Sequence, residues 1–439
     1  MGRASYSLLA YVALPFVAGG FLWRGWRDPA QRGSLAERLA LSPAPRGDSP
    51  LWLHAASVGE LRAVAALLGA MESRPPVLVT ALTSTGCASA RQLFAAAGHE
   101  VRAAPWDLPG ATRRFVAAVR PRALVLVETE LWPNMIAAAT AAGVPVALLS
   151  ARLSGRSLAR YLRFAPGLMR DAVRALALIG AQTQIDRQRF IELGASPERV
   201  QVIGNLKSDL RLEPDLPERG TALRARWAPG RPLWVAGSTH PGEEQMLLAA
   251  QRRLTAAARA TGKPAPLLAL APRRPERFAA VAGWLSAQGI AHVCLSSLAS
   301  VPQAAQRAVG GSEVLLIDAM GVLPRWYAAA DVAFVGGSLV LVGGHNLLEP
   351  AALARPVLCG PHTFNAPEVT RLLVEAGGAR VVRDAEELAA ALAVWLADPA
   401  AAAAAGAKAA AAVRASQGAA RRAVELLSPL LRTSPSTSG

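Results

Sequence analysis

Cysteine is scarce. The 439 residues hold three, Cys87, Cys294 and Cys359, far apart and in no CxxC pattern. That excludes a disulfide scaffold and makes a reducing compartment the default. No HxxxH or DxD pair occurs, so no metal is expected. No Walker A sequence and no clear GxGxxG with a following acidic partner is present, so ATP and NAD fit poorly and no cofactor is called for. Aromatics make up 5% of the chain, with four Tyr and nine Phe. No run interleaves them with basic residues, which argues against a nucleic-acid surface. Acidic residues are also in deficit: Asp and Glu total 31 against 47 Lys and Arg, a formal charge of +16. With nucleic acid set aside, the remaining acidic partners are an anionic lipid surface or a phosphorylated substrate.

One charge-free run stands out, residues 6–23, YSLLAYVALPFVAGGFLW. It is just long enough to span a bilayer. A cleaved signal peptide is a poorer reading, because only Arg3 precedes the run and no small-x-small site follows before Trp23. A lone in-plane or buried helix is the other alternative. A retained anchor is the expectation. Arg24, Arg27, Arg32 and Arg38 follow it, which places the main body in the cytoplasm by the positive-inside bias. Trp23 and Trp26 would sit at the interface.

From Pro50 onward, short apolar runs alternate with helical patterns. LWLHAAS, PPVLVTAL, RALVLVETE, VPVALLS, ALALIGAQT and RVQVIGN read as strands separated by helices. This βα rhythm predicts a parallel sheet with helices on both faces. Residues 208–232, rich in Pro, Arg and Glu, break the rhythm and read as a linker. It restarts with RPLWVAGS, PLLALAPR, IAHVCLS, EVLLIDA, DVAFVGGS and RPVLCGP, and 385–430 reads as almost wholly helical. The expected organisation is an anchor at 1–30, an N-terminal α/β domain at 31–207, a linker at 208–232, a second α/β domain at 233–430 and a tail at 431–439. Two such Rossmann-like domains would face each other across a cleft at the C-terminal edges of their strands. The starts of the two halves, LWLHAASVGELRAVAALL and LWVAGSTHPGEEQMLLAA, resemble each other weakly.

The stretch 331–350, DVAFVGGSLVLVGGHNLLEP, joins a strand to a helix start through two glycine pairs. Its backbone N–H groups are expected to face an anion, with Asn346 and Glu349 on one helical face. Ser238 to Glu243 and Arg273, Arg274 and Arg277 add further anion-friendly turns to the second half. Together they suit a nucleotide-sugar phosphate. In the first half, Ser57-x-x-Glu60 matches a capping box. Glu60 is equally placed to act as a general base. Glu128 and Glu130 end a strand, and alternation puts both on one side; hydroxyl binding, cation binding and turn capping stay open for them. Arg152, Arg156 and Arg160 would line one face if their segment were helical throughout, as a solvated or an anion-binding stripe.

WLHAASVGE (52–60), ETELWPN (128–134), ARLSGRS (151–157), GNLKSD (204–209), STHPGEE (238–244), PRRPERF (272–278), DAMGVL (318–323), GGSL (336–339) and GGHNLLEPAA (343–352) occur in the order found in one family. The chain resembles the 3-deoxy-D-manno-octulosonic acid (Kdo) transferases of lipopolysaccharide synthesis over residues 30–385. The resemblance implies a two-Rossmann GT-B fold and an inner-membrane anchor with a cytoplasmic body. It also implies inverting transfer of Kdo from CMP-Kdo to a lipid A precursor. By motif, it implies that Glu60 is the base and that Glu128 and Glu130 line the acceptor side, next to Arg152 and Arg156. Ser238, Arg273, Met320, Gly321, Asn346 and Glu349 match donor-binding positions, and Lys207 a further cleft position. Three motifs depart from the pattern: Arg274 stands for His, Ala319 and Val322 for Thr and Glu, and Ser150 for Asn. Two rivals are a two-domain nucleotide-sugar epimerase and a membrane-bound nucleotide-sugar or lipid-binding relative that is non-catalytic or of altered specificity, for a related 3-deoxy sugar.

Overall fold

The computed structural model describes residues 1–27, 34–42, 49–73, 75–210, 212–298 and 309–432. Arg32, the side chains of Arg24, Trp26 and Arg27, and the tail from Thr433 lie outside the described residues. The chain divides into two compact units, Met1–Asp209 with Ser416–Gly439, and Leu210–Ala415.

The first unit is a seven-stranded parallel sheet. Its strands are β1 (Leu51–Ala55), β2 (Val77–Ala81), β3 (Glu100–Ala103), β4 (Ala123–Val127), β5 (Val146–Ala151), β6 (Leu178–Ala181) and β7 (Val200–Val202), in the spatial order β3-β2-β1-β4-β5-β6-β7. Its central strands are buried on both faces, so they read as unbroken apolar runs. Side chains still alternate. Leu51, Leu53 and Ala55 of β1 pack with Leu61, Val64 and Leu67 of the helix Val58–Ala70. Trp52 turns to the other face, 4.7 Å from the Phe115 ring. β3 was not legible as a strand: it is an edge strand, only partly buried, and its Glu and Arg break the apolar run.

The second unit repeats the scheme with β8 (Leu233–Thr239), β9 (Leu267–Pro272), β10 (His292–Cys294), β11 (Val314–Leu316), β12 (Val332–Val335), β13 (Val357–Cys359) and β14 (Ala379–Val381). The order is β10-β11-β9-β8-β12-β13-β14. The edge strand β14, with Arg380 and Val381 exposed, was also missed by the sequence pattern. Chain order reverses between β1 and β4 in the first sheet and between β8 and β12 in the second. Those switch points open a crevice at the carboxyl ends of the strands, where ligands of such sheets bind.

Two domain expectations need correction. The segment 208–232 contains the helix Leu216–Trp227, whose Trp227 is buried in the second unit's core. The 385–430 region is three helices, and the last of them, Ala419–Arg432, belongs to the first unit. Its Ala419, Ala423 and Leu427 pack beside Leu51 and Leu53. Asp209 accepts bonds from Gly418 N (2.6 Å) and Ala420 N, which fixes the start of that helix.

The N-terminal helix, Arg3–Arg27, has a stretch, Arg3–Trp23, long and apolar enough to cross a membrane, with mean hydropathy 1.6 and none of it buried. One side nevertheless rests on the first unit. Tyr6 donates to Asp107 Oδ2 at 2.9 Å, Ser7 to Asn134 Oδ1 at 3.0 Å, and Phe21 meets Trp106 edge-on at 5.9 Å. The opposite side exposes Leu8, Leu9 and Val12, while Phe16, also exposed, stands at the edge of the side facing the first unit.

Candidate functional site

Glu60 stands in the first turn of the helix after β1, at the switch point. The capping box is real: Glu60 N donates to Ser57 Oγ at 3.3 Å, and Ser57 Oγ donates to Glu60 Oε1 at 2.8 Å. Ala56 N donates to Glu60 Oε2 at 2.7 Å. Each carboxylate oxygen is thus held by one donor, which fixes the group while leaving it lone pairs. Glu60 is 6% exposed. Burial raises its pKa; the bonds from Ala56 and Ser57 oppose the rise, Glu128 adds to it and Lys207 again opposes it.

Across the switch point, β4 ends at Val127, before Glu128. Glu128 has φ +62°, so strand alternation does not place it as expected. Its N–H bonds Leu149 O, and its carbonyl accepts from Arg152 N. Its side chain forms an ion pair with Lys207 Nζ. The glycine beside Glu60 leaves room for the Lys207 ammonium, since a Cβ on Gly59 would sit 3.3 Å from Nζ. Glu130 accepts from Trp132 Nε1 at 2.5 Å and lies 4.0 Å from His54 Nε2. Its pKa is pushed up to about 7, by burial first and then by the charge of Glu60. Glu60, Glu128, Glu130 and Lys207 therefore form one cluster with an excess of carboxylates.

Sequence reasoning missed His54. It follows Trp52 by two, so it turns to the same face. Thr80 Oγ1 accepts from Trp52 Nε1 at 2.8 Å and sits 3.0 Å from His54 Nδ1. Fully buried, His54 has its pKa pushed down to about 4 and is neutral at physiological pH. Ser150, standing where the resembling motif has Asn, takes φ +53°, a conformation Asn adopts readily. Its Oγ accepts from Leu206 N at 3.2 Å, which positions the turn carrying Lys207.

The three arginines do not form one helical stripe. Arg152 precedes the helix Gly155–Phe164, whereas Arg156 and Arg160 lie within it, and both are exposed.

In the second unit, the glycine turn after β12 holds an anion, but one that the chain itself supplies. Glu243, fully buried, accepts from Gly337 N (2.7 Å) and His240 N (2.9 Å) through Oε2. Through Oε1 it accepts from Ser338 N and Leu339 N, both at 3.0 Å. The amides expected to face a ligand phosphate are thus filled by a side chain. A Cβ on Gly336 would lie 2.6 Å from Ser238 O and 2.9 Å from Glu243 Oε2, so the close approach requires glycine.

The other predicted donor residues lie at or after the carboxyl ends of β8, β9, β11 and β12 in the same sheet. Ser238 has φ +59° at the end of β8. His240 Nε2 and His345 Nε2 are 2.8 Å apart with their rings stacked. Asn346 donates to Glu349 Oε1 at 3.1 Å and accepts from Leu348 N, which orders the start of the helix Leu348–Ala352. Arg277, by contrast, is committed to Glu244 at 2.8 Å, while the Arg273 and Arg274 side chains are exposed. Met320 is 56% exposed beside Gly321, at φ +79°. Val322 is packed on the hydrophobic core, so the residue that replaces Glu is a wall residue here. Among the described residues no group of three or more His, Cys, Asp or Glu is arranged to hold a metal.

Residues 33–210 match the family model described as 3-deoxy-D-manno-octulosonic-acid transferase (kdotransferase). The 3-deoxy-D-manno-octulosonic acid transferase of Bordetella pertussis is 39% identical, over 98% of this chain and 100% of its own. That of Haemophilus influenzae is 35% identical, over 98% and 99%. Among solved structures, the UDP-GlcNAc 2-epimerase of Neisseria meningitidis bound to UDP-GlcNAc has a TM-score of 0.51 at 14% identity, covering 87% of this chain and 100% of that one. This is a likeness of fold alone, and it gives the epimerase alternative no further support. Identity extending over nearly the whole length decides the assignment: the chain belongs to the 3-deoxy-D-manno-octulosonic acid transferase family and is a glycosyltransferase.

Proposed function

We propose that the protein transfers Kdo from CMP-Kdo to a lipid A precursor in lipopolysaccharide assembly, with inversion at the anomeric carbon. The observation that carries this reading is the fixed, buried carboxylate of Glu60 at the carboxyl edge of β1, with Glu128, Glu130 and Lys207 beside it. An acceptor hydroxyl placed there gives its proton to Glu60 as its oxygen bonds the anomeric carbon. The bond from that carbon to the phosphate oxygen breaks, and CMP leaves with the electron pair. The raised pKa makes Glu60 a stronger base than an exposed carboxylate. Glu130, with a pKa near neutrality, is suited to donate a hydrogen bond to an acceptor oxygen. Lys207 offsets the charge of Glu128, so this pair adds no net negative charge beside the ionised Glu60.

Donor recognition is assigned to the second unit. Arg273 and the amides at Met320-Gly321 suit the single phosphate of CMP, where positive charge stabilises the departing group. Ser238, Asn346 and Glu349 suit sugar and ribose hydroxyls. Glu243 is the reason the glycine turn itself is not read as the phosphate cradle: the amides of Gly337, Ser338 and Leu339 are already bonded to it, as is that of His240.

The protein is placed at the bacterial inner membrane with its body in the cytoplasm. Contacts from Tyr6 to Phe21 hold the N-terminal helix along the first unit, which supports reading it as lying in the membrane surface with Leu8, Leu9 and Val12 immersed. Glu60→Gln tests the reading. General-base assistance is worth about 10²–10⁴-fold, so turnover falls by that factor while the protein stays folded. Near-normal turnover would remove Glu60 from the mechanism.

A further inference from the structure

Between the N-terminal helix and the carboxyl end of β2 lies a groove of about 420 Å³. Phe16, Val17, Phe21 and Trp106 give it hydrocarbon walls. Arg38, Thr83 and Ser84 make its polar part. Arg38 is 2% exposed, its Nε has no hydrogen-bond partner, and it has no ion pair among the described residues. The guanidinium lies over the Phe21 ring at 5.1 Å. The neighbouring Glu37 acts on it through space without an ion-pair contact among the described residues, and its carboxylate accepts from Ala103 N at 2.7 Å. Burial pushes the pKa of Arg38 down. A buried cation compensated only through space, with an unbonded Nε, is better accommodated when an anion joins it. Ser84 begins a helix that runs to Phe94, so the same end of the groove also carries the positive end of a helix dipole.

Apolar walls with a positive end describe a site for an amphiphile with an anionic head. Its place in the fold says which one. β2 neighbours β1 in the sheet, and the turn after β2 lies against the turn that carries Glu60: a Cβ on Gly86 would sit 3.9 Å from Ala56 O. We infer that this groove is the lipid subsite of the acceptor, taking one of its acyl chains between Phe16 and Trp106 and one of its phosphates against Arg38. The inference rests on the lipid-acceptor reading above. It adds a binding role for Arg38 and for the inner side of the N-terminal helix.

The test is steady-state transfer by the full chain in detergent, from CMP-Kdo to the tetra-acylated bisphosphate precursor. Its dephosphorylated and deacylated forms are run beside it. A charged hydrogen bond lost on truncation raises the acceptor KM of Arg38→Met about 10- to 100-fold, with kcat and donor KM unchanged. The dephosphorylated acceptor shows no difference between the two enzymes. Phe16→Asp, at a position 81% exposed and so harmless to folding, raises KM for the acylated acceptor and not for the deacylated one. Without lipid, Arg38→Met melts no lower than the parent, whereas a structural arginine would leave it less stable. Equal KM values, or a lower melting temperature with equal loss on every acceptor, overturn the inference. Binding is measured separately as Trp106 fluorescence quenching by brominated-chain phosphatidic acid, with Trp106→Phe as blank. Quenching that Arg38→Met abolishes supports the groove even if no acylated acceptor is a substrate, and absent quenching overturns it.

Discussion

Glu243→Gln is the sharpest structural perturbation available in the second unit. The change keeps shape and removes a charge. Glu243 accepts two N–H groups on each oxygen: those of His240 and Gly337 on one, those of Ser338 and Leu339 on the other. A glutamine presents one oxygen and one NH2 group. Whichever way the amide turns, its NH2 faces two backbone donors. Two buried N–H groups are left without acceptors, at ~1–3 kcal/mol each, so the loss is about 2–6 kcal/mol. For a unit of this size, ~2–4 °C of melting temperature accompanies each kcal/mol, giving a fall of roughly 5–20 °C in the transition of the second unit. Differential scanning calorimetry of the full chain reads it directly. The first unit's transition should stay in place, because Glu243 lies in Leu210–Ala415. A variant that melts within about 2 °C of the parent would refute the reasoning, since even one orphaned amide exceeds that.

Other outcomes follow from the same geometry. The Glu130 pKa is raised to about 7, so between the ordinary value of 4.5 and 7 the native state binds more protons than the unfolded one and stability falls as pH rises. Glu130→Gln should therefore be more stable than the parent above pH 7, with the gain vanishing below about pH 4.5 in urea titrations. The acidic limb of kcat/KM should lie above the usual glutamate range, since Glu60 must be ionised and its pKa is raised. Leu427→Ala, at a fully buried position, should cost about 2–5 kcal/mol in the first unit's transition and leave the second unit's alone.

The sequence pattern was a good guide to the sheets. Strands such as Leu51–Ala55 and Ala123–Val127, buried on both faces, show as apolar runs because nothing polar fits there. The edge strands β3 and β14 escaped notice because exposure lets them carry Glu100, Arg102 and Arg380. The capping box at Ser57 and Glu60 was legible because all its atoms lie within four residues. Glu243 was not, because it reads as an ordinary acidic residue of a helix's first turn. Its partners Gly337, Ser338 and Leu339 are 94 to 96 positions away. Local pattern likewise could not show that the final helix, an amphipathic segment next to two others, packs on Leu51 and Leu53. Arg38 looked like one more positive charge behind an anchor. Only the fold shows it to be buried, with its Nε unbonded and no ion pair among the described residues.

The measurement that bears most directly on the central claim is incubation of the purified full chain with CMP-Kdo and the tetra-acylated lipid A precursor, with products read by mass. The account predicts product heavier by at least one Kdo residue, release of CMP in equal amount, and loss of both with Glu60→Gln. CMP release without a heavier lipid, or a heavier lipid formed at the parent rate by Glu60→Gln, would contradict it.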